Sequence, residues 1–506
     1  MLVALNRHFG EQPVPDAAPR HLPVLFGQGP TGAIPGEVLM QRFSSLVLTI
    51  AVAVMPNAAV AQALTADETT KIDKIVNDNL SRTGVPSASI AIVRGGQIIL
   101  TKAYGKQSEA IPVARSEAPY QIASVSKQFT AAALLLLQRD GKLNLDDKVA
   151  KYLPGISGGD RIALRQLLSH TSGLQDYWPQ DYSFAAMAKP TTAQGIVDRW
   201  AKKPLDYEPG TQWQYSNTGY VVAGMIVEKV AGTSLLEFLQ ARVFRPLGMR
   251  VMNQDLAVGP AYPQGYQRFA LGPVRVEKPA ASGWLFAAGE LAMSAGDLAK
   301  WNIARMERKL LLASEWEAQE TPVKLADGSG TGYGLGVSTG KRGERRFIEH
   351  AGEAVGFLSE SIVFPDERAS IIVLVNSDFS DAYTVIARDV ATVVLPPLAA
   401  DQSEILQTKQ ARAIFDALRG GTIDRRLLTE NANYYFTPTA LEDYRSSLSK
   451  LGEPKSFELV RKPRLRGGFV NRNYRISYEA RSLNVITYSE PGENARFEQF
   501  LVMPAE

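Results

Sequence analysis

The sequence predicts an α+β fold in two domains, on three observations. Strand-like runs stand near both ends of residues 66–395, and helical periods fill the middle. Such an order builds one antiparallel sheet from both ends and packs it against a helical subdomain. A break at Pro396-Pro397, followed by polar Asp401-Gln402-Ser403, then sets off a C-terminal α+β domain.

At the start, residues 1–39 are rich in Pro and Gly and show no apolar period. Met40-Gln41-Arg42, an apolar run over 46–55 and Ala59-Val60-Ala61 follow. They supply the basic, apolar and small-residue regions of a secretory signal peptide. The expectation is an upstream mistranslated segment over 1–39, a signal peptide over 40–61, and a mature chain in the periplasm or outside the cell. The competing reading is a cytoplasmic protein with an apolar anchor. The apolar run is too short to span a bilayer, and no later segment qualifies.

The first mature domain, 62–398, opens with an amphipathic helix over 66–82. A hairpin follows, 88–93 and 98–104 about Gly95-Gly96. The segment Gln121-Ile122-Ala123-Ser124-Val125-Ser126-Lys127 then leads into a run of strong helix formers over 131–137, closed by Asp140-Gly141. This helix is predicted to start near Ser124 and to be buried, being apolar on nearly every side. Further helices are predicted over 164–170, 219–231 and 234–244. Strands are expected over 333–338, 346–350, 357–364 and 370–376, and a helix over 382–394 closes the domain. The C-terminal domain, 403–506, reads as helices over 405–418 and 441–451, then strands over 456–461, 470–480, 483–489 and 495–503.

Composition narrows the function. The 506 residues are 45% apolar and 21% charged with a net charge of +3, as in an ordinary soluble globular protein. The basic run Arg461-Lys462-Pro463-Arg464-Leu465-Arg466 stands apart from any nucleic-acid motif and reads as a solvated strand edge. The absence of cysteine excludes thiol nucleophiles, disulfides and thiolate metal sites.

Ser124 and Lys127 lie three apart and so share one face of a first helical turn. The lysine can accept the hydroxyl proton if burial lowers its pKa, and free N–H groups at the helix start can hold an oxyanion. The S-x-x-K pattern also occurs at Ser338/Lys341 and Ser447/Lys450, but only Ser124 opens a buried helix; its bland alternative is an N-cap serine. Tyr215 and Asn217 stand two apart in a Gly-flanked loop and can face one ligand. His350 closes a strand and is followed by Gly352, where backbone can approach a ligand closely.

These three sites, in this order, resemble the serine β-lactamase and penicillin-binding-protein superfamily, within it the class C β-lactamases with their D-aminopeptidase and esterase relatives (S12-type peptidases). Supporting matches are Leu167-Leu168-Ser169-His170-Thr171-Ser172-Gly173-Leu174, Pro246-Leu247-Gly248-Met249, Ala292-Met293-Ser294-Ala295-Gly296-Asp297-Leu298 and Tyr333-Gly334-Leu335-Gly336. The resemblance implies a β-lactamase/transpeptidase-like fold and a metal-independent hydrolase that needs no cofactor. It makes Ser124 the acylated nucleophile, Lys127 its base or the tuner of that base, and Tyr215 the group that passes a proton to the leaving group. Asn217 would bond the substrate amide or Lys127, and the N–H groups of Ser124 and Glu353 would form the oxyanion hole. Lys127 and Tyr215 both fit the general base. His350, Gly352 and Glu353 would bind substrate, while His170 is structural. Penicillin-active members carry K-T-G where this chain has His350-Ala351-Gly352, which points away from β-lactams toward a small ester or a D-amino-acid peptide, cell-wall derived or not.

Two other readings stand beside this one. Gly155-Ile156-Ser157-Gly158-Gly159 matches G-x-S-x-G, but it lies in a loop without the strand that a nucleophile elbow needs. A non-catalytic peptidoglycan-binding or scaffolding protein would not need to keep Ser124, Lys127, Tyr215 and Asn217 together. The C-terminal domain resembles an NTF2-like or cystatin-like accessory domain, which could shape the site or support a homodimer.

Overall fold

The computed structural model describes residues 63–180, 182–396, 402–460, 463–492 and 495–505, and the chain divides into two units between Pro396 and Pro397. The expected signal peptide and upstream segment lie outside the described residues. Among the described residues, no helix is long and apolar enough to cross a membrane.

The first unit begins with α1, Ala66–Thr83. Thr65 and Glu68 form a capping box, and Gly84 ends the helix in the left-handed region. Its buried Ile72, Val76, Asn79 and Leu80 fall on one helical stripe. The hairpin β1 (Ser87–Arg94) and β2 (Gln97–Gly105) follows. The last third supplies β3 (Ser338–Arg342), β4 (Arg345–Ala354), β5 (Phe357–Phe364) and β6 (Ala369–Val375). Together they form one antiparallel sheet in the order β2-β1-β6-β5-β4-β3, so both chain ends do meet in one sheet.

Both faces of this sheet are covered, which explains why β1 and β6 read as nearly continuous apolar runs. Successive side chains alternate between faces. Ile371, Val373 and Val375 of β6 pack in the layer of α1 and the closing helix Ala382–Val394, while Ile372 and Leu374 face the helical body.

The helical body is organised around α2, Lys127–Arg139, in which every residue from Lys127 to Leu137 is buried. Phe129 packs against Phe244 at 5.4 Å and Trp301 at 4.7 Å between ring centroids. Ser124 itself is not in the α-helix. It lies in a single 3-10 turn, Ala123–Ser126, that leads into α2, and Ala123 is left-handed at φ 48°. A 3-10 turn places residues three apart directly above one another, so Ser124 and Lys127 share one face.

Other predicted elements change at their ends. The helix expected over 164–170 stops at Leu168, because His170 takes φ 62°. The one expected over 234–244 is α-helical only over Leu235–Leu239 and continues as a π turn through Phe244. The strand expected over 333–338 does not form. Tyr333 and Ser338 make a lone bridge, and the chain between them turns through Gly336 at φ 82°. A Cβ on Gly336 would come within 2.9 Å of the Lys127 carbonyl, so this loop is pressed against the start of α2.

The second unit contains helices Gln402–Arg419, Glu430–Tyr435 and Pro438–Leu448, and strands Ser456–Leu459, Arg464–Arg466, Phe469–Ser477, Ser482–Ser489 and Phe497–Pro504. The middle helix and the short strand Arg464–Arg466 were not expected. That strand is exposed throughout, as a solvated edge should be, and pairs with Phe469–Ser477. Phe415, Tyr474 and Phe497 lie in this unit's own core.

Candidate active site

Four parts of the first unit converge on Ser124. The 3-10 turn presents the Ser124 hydroxyl at the start of α2. Val125 N–H is the first to close the turn, onto Ile122 O at 3.2 Å, which leaves the Ser124 N–H without a turn partner. Lys127 Nζ lies 2.9 Å from Ser124 Oγ, 2.8 Å from Asn217 Oδ1 and 2.7 Å from Ala288 O. Its side chain is wholly buried, and burial brings its pKa down to about 7, opposed by the nearby Asp176 carboxylate. The Ala288 segment is itself held by Thr130, whose hydroxyl donates to Ala287 O at 2.8 Å.

Asn217 opens helix α3, Asn217–Ala231, behind its N-cap Ser216. Tyr215, two residues earlier, lies with its ring 4.9 Å from Lys127 Nζ. Burial raises the Tyr215 pKa well above the usual phenol range, partly offset by the neighbouring Ser124 hydroxyl. The phenol therefore keeps its proton at neutral pH.

Gly352 shows why the third segment needs glycine. A Cβ there would come within 2.2 Å of Ile122 O and 2.3 Å of Ser359 Oγ, so β4 lies directly on the turn that carries Ser124. Strands β4 and β5 join through the two-residue turn Val355-Gly356, closed by Ala354 opposite Phe357. Hydrogen-bonded pairs alternate from there, so Gly352 bonds to β5 and the Glu353 N–H points the other way. Strand β3 covers that side only as far as Glu349. The Glu353 N–H thus opens beside Ser124, where the oxyanion hole is expected.

His350 is buried, and burial together with the Lys127 charge brings its pKa down to about 3. Its Nδ1 meets Ala351 O, which can only accept, so Nδ1 carries the proton and Nε2 accepts from Tyr333 O–H at 2.8 Å. It is a neutral imidazole. His170 is buried as well, its pKa pushed well below the usual value by burial. Its Nδ1 accepts the Ser216 N–H at 3.1 Å, and its ring lies 4.1 Å from that of Tyr215. It braces the Tyr215 loop, which fits the structural reading.

The structure therefore brings together Ser124, Lys127, Tyr215, Asn217, His350, Gly352 and Glu353. Sequence reasoning missed Tyr333, which orients His350, the Ala288 carbonyl, and Asp176, two residues past the end of the His170 motif. Of the other S-x-x-K serines, Ser338 lies on the edge strand β3 and Ser447 on the helix Pro438–Leu448 of the second unit. Ser157 lies in a series of turns with no strand before it.

Comparison with known proteins bears on family and fold. The model of the Beta-lactamase family matches residues 72–395. Penicillin-binding protein 4* of Bacillus subtilis is 29% identical over 68% of this chain and 80% of its own length. Protein flp of Staphylococcus aureus is 29% identical over 62% of this chain, which spans 64% of flp, just under two thirds of it. Among solved structures, a D-stereospecific amidohydrolase from Streptomyces sp. aligns with TM-score 0.55 and 28% identity, over 63% of this chain and 96% of its own. With the family match covering well over half of the sequence, the chain belongs to the beta-lactamase and penicillin-binding-protein superfamily of serine hydrolases.

Proposed function

We propose that the chain hydrolyses an ester or a D-amino-acid amide through an acyl-enzyme on Ser124. One observation carries this reading: the hydrogen-bond set of Lys127. A neutral amine has two N–H donors and one lone pair. Asn217 Oδ1 and Ala288 O can only accept, so they take the two donors and leave the lone pair for the Ser124 hydroxyl at 2.9 Å. With a pKa near 7, Lys127 is poised to take that proton at neutral pH.

Ser124 Oγ then attacks the substrate carbonyl carbon as its proton passes to Lys127 Nζ. The N–H groups of Ser124 and Glu353 hold the oxyanion, each such donor being worth about 3 kcal/mol. Collapse breaks the bond to the leaving alcohol or amine, which takes a proton from Tyr215, itself resupplied by Lys127. Water, deprotonated by the same base, cleaves the acyl ester and restores Ser124.

Substrate class follows from charge. The neutral His350 offers no cation to a substrate carboxylate, unlike the lysine of penicillin-active relatives, so β-lactam turnover should be weak or absent. A cavity of about 420 Å³ lies beside Glu353, walled by Trp178, Phe269 and Phe379 and lined by three acids, Glu353, Glu277 and Asp378, against one guanidinium, Arg268. Such a surface suits an acyl group bearing an amine, as in D-amino-acid amides. This reading places the enzyme in the periplasm or outside the cell, following the signal peptide expected over 40–61.

The test is a rate panel on the mature chain: a short p-nitrophenyl ester, a D-alanyl p-nitroanilide and a chromogenic cephalosporin, with Ser124→Ala as control. Ser124-dependent cleavage of the ester or D-alanyl amide, with little or none of the cephalosporin, is expected. Turnover undiminished in Ser124→Ala would overturn the reading. No turnover of any substrate would favour a binding protein on a retained hydrolase fold.

A further inference from the structure

Asn217 has two ends that differ in chemistry, and its contact with Lys127 is productive in only one orientation. The amide oxygen must face the lysine, because the amide nitrogen would set donor against donor. Asp176 makes the choice. Its Oδ1 accepts the Asn217 backbone N–H at 3.0 Å and the Trp178 N–H at 3.2 Å, and its Oδ2 accepts Asn217 Nδ2 at 3.3 Å. An ionised carboxylate only accepts, so the nitrogen end of Asn217 must face it, and Oδ1 is left 2.8 Å from Lys127 Nζ.

Resting on the reading of Ser124 and Lys127 given above, we infer that Asp176 is a positioning residue of the reaction: its two bonds to Asn217 fix that amide toward Lys127, and its negative charge acts on the Lys127 ammonium through the amide. The surroundings of Lys127 support this. The rings of Tyr215 and Tyr220 lie 4.9 Å and 5.3 Å away, and His170 and His350 are neutral. Among the described residues, Asp176 is the anion that acts on Lys127. Its own pKa is raised by burial, while the N–H groups of Trp178 and Asn217 and the Lys127 charge work against that rise. The two charges thus stabilise each other on either side of one neutral amide.

Asp176→Asn tests this, since it keeps the shape and an oxygen for the Trp178 and Asn217 backbone N–H groups but removes the charge and the acceptor that faces Asn217 Nδ2. The readouts are the Lys127 titration midpoint, followed by NMR of ¹³Cε-labelled lysine and assigned by its loss in Lys127→Arg, and the pH profile of kcat/KM on the p-nitrophenyl ester. Without the carboxylate the ammonium is less favoured, so the midpoint and the acid limb should both move to lower pH by about half a unit or more. A merely structural role would lower the melting temperature or the overall rate and leave the midpoint where it was. An unmoved or raised midpoint in the folded variant overturns the inference. If the wild-type chain turns over no test ester, the NMR midpoint still decides, separating this inference from the proposed activity. Should Asp176→Asn not fold, Asp176→Ser removes the same charge and carries the same expectations.

Discussion

Lys127 Nζ stands 2.9 Å from Ser124 Oγ, and both residues are buried, Ser124 at 7% exposure and Lys127 at 0%. A lysine held so far from water cannot stay an ordinary ammonium, and this sets how the site should depend on pH. Burial lowers its pKa to about 7. In the proposed reaction the reactive form is the neutral amine, which forms above that value. kcat/KM should fall about tenfold per unit below pH 7 and level off above it. A profile flat from pH 5 to 8 would contradict this.

The same shift affects stability. Between pH 7 and the unfolded lysine value of 10.5, the unfolded chain binds a proton that the native chain does not. Stability should therefore rise with pH across this window, by on the order of 4 kcal/mol relative to Lys127→Met. Denaturant titrations of both proteins at several pH values measure it.

In the proposed reaction Tyr215 serves the leaving group, so its effect should depend on what leaves. Tyr215→Phe should cost amide cleavage about 10²-fold or more and p-nitrophenyl ester cleavage far less, because p-nitrophenolate departs without a proton. Equal losses on both substrates would place Tyr215 in the attack step instead.

His170 and His350, the histidines among the described residues, should both be neutral at pH 7, since burial lowers both pKa values. Long-range ¹H–¹⁵N spectra should show the proton on Nδ1 of His350 and on Nε2 of His170. Tyr333→Phe should disturb only the His350 signals, since it removes the donor to Nε2.

Gly352→Ala forces a methyl against Ile122 O and Ser359 Oγ. Overpacking of this kind costs about 1–3 kcal/mol. It also pushes the Glu353 N–H away from Ser124, so kcat should fall well over tenfold while KM changes less. Steady-state kinetics and thermal melting check both.

Much of this was legible from residues alone, for identifiable reasons. The sheet was legible because β1 and β6 are nearly continuous apolar runs and β5 is apolar at both ends, and α2 because its helix formers are unbroken from Ala131 to Leu137. Ser124, Tyr215 and Gly352 were legible because their motifs carry local chemistry. The 3-10 start of α2 was not, because it depends on a left-handed Ala123 that no propensity favours. The strand expected at Tyr333 failed because the apolar pattern there serves a loop packed on α2 through Gly336. Asp176 was hidden for another reason: its partner Asn217 is 41 residues away, and a lone acid in a loop has no pattern.

The central claim is that Ser124 carries the acyl group, and trapping that intermediate tests it most directly. The mature chain would be acid-quenched during turnover of a p-nitrophenyl ester, weighed intact, digested with trypsin and mapped. The account predicts one added acyl mass on the peptide 116–127, which contains Ser124, and none in Ser124→Ala. An adduct on Ser157, or turnover with no adduct and no dependence on Ser124, would contradict it.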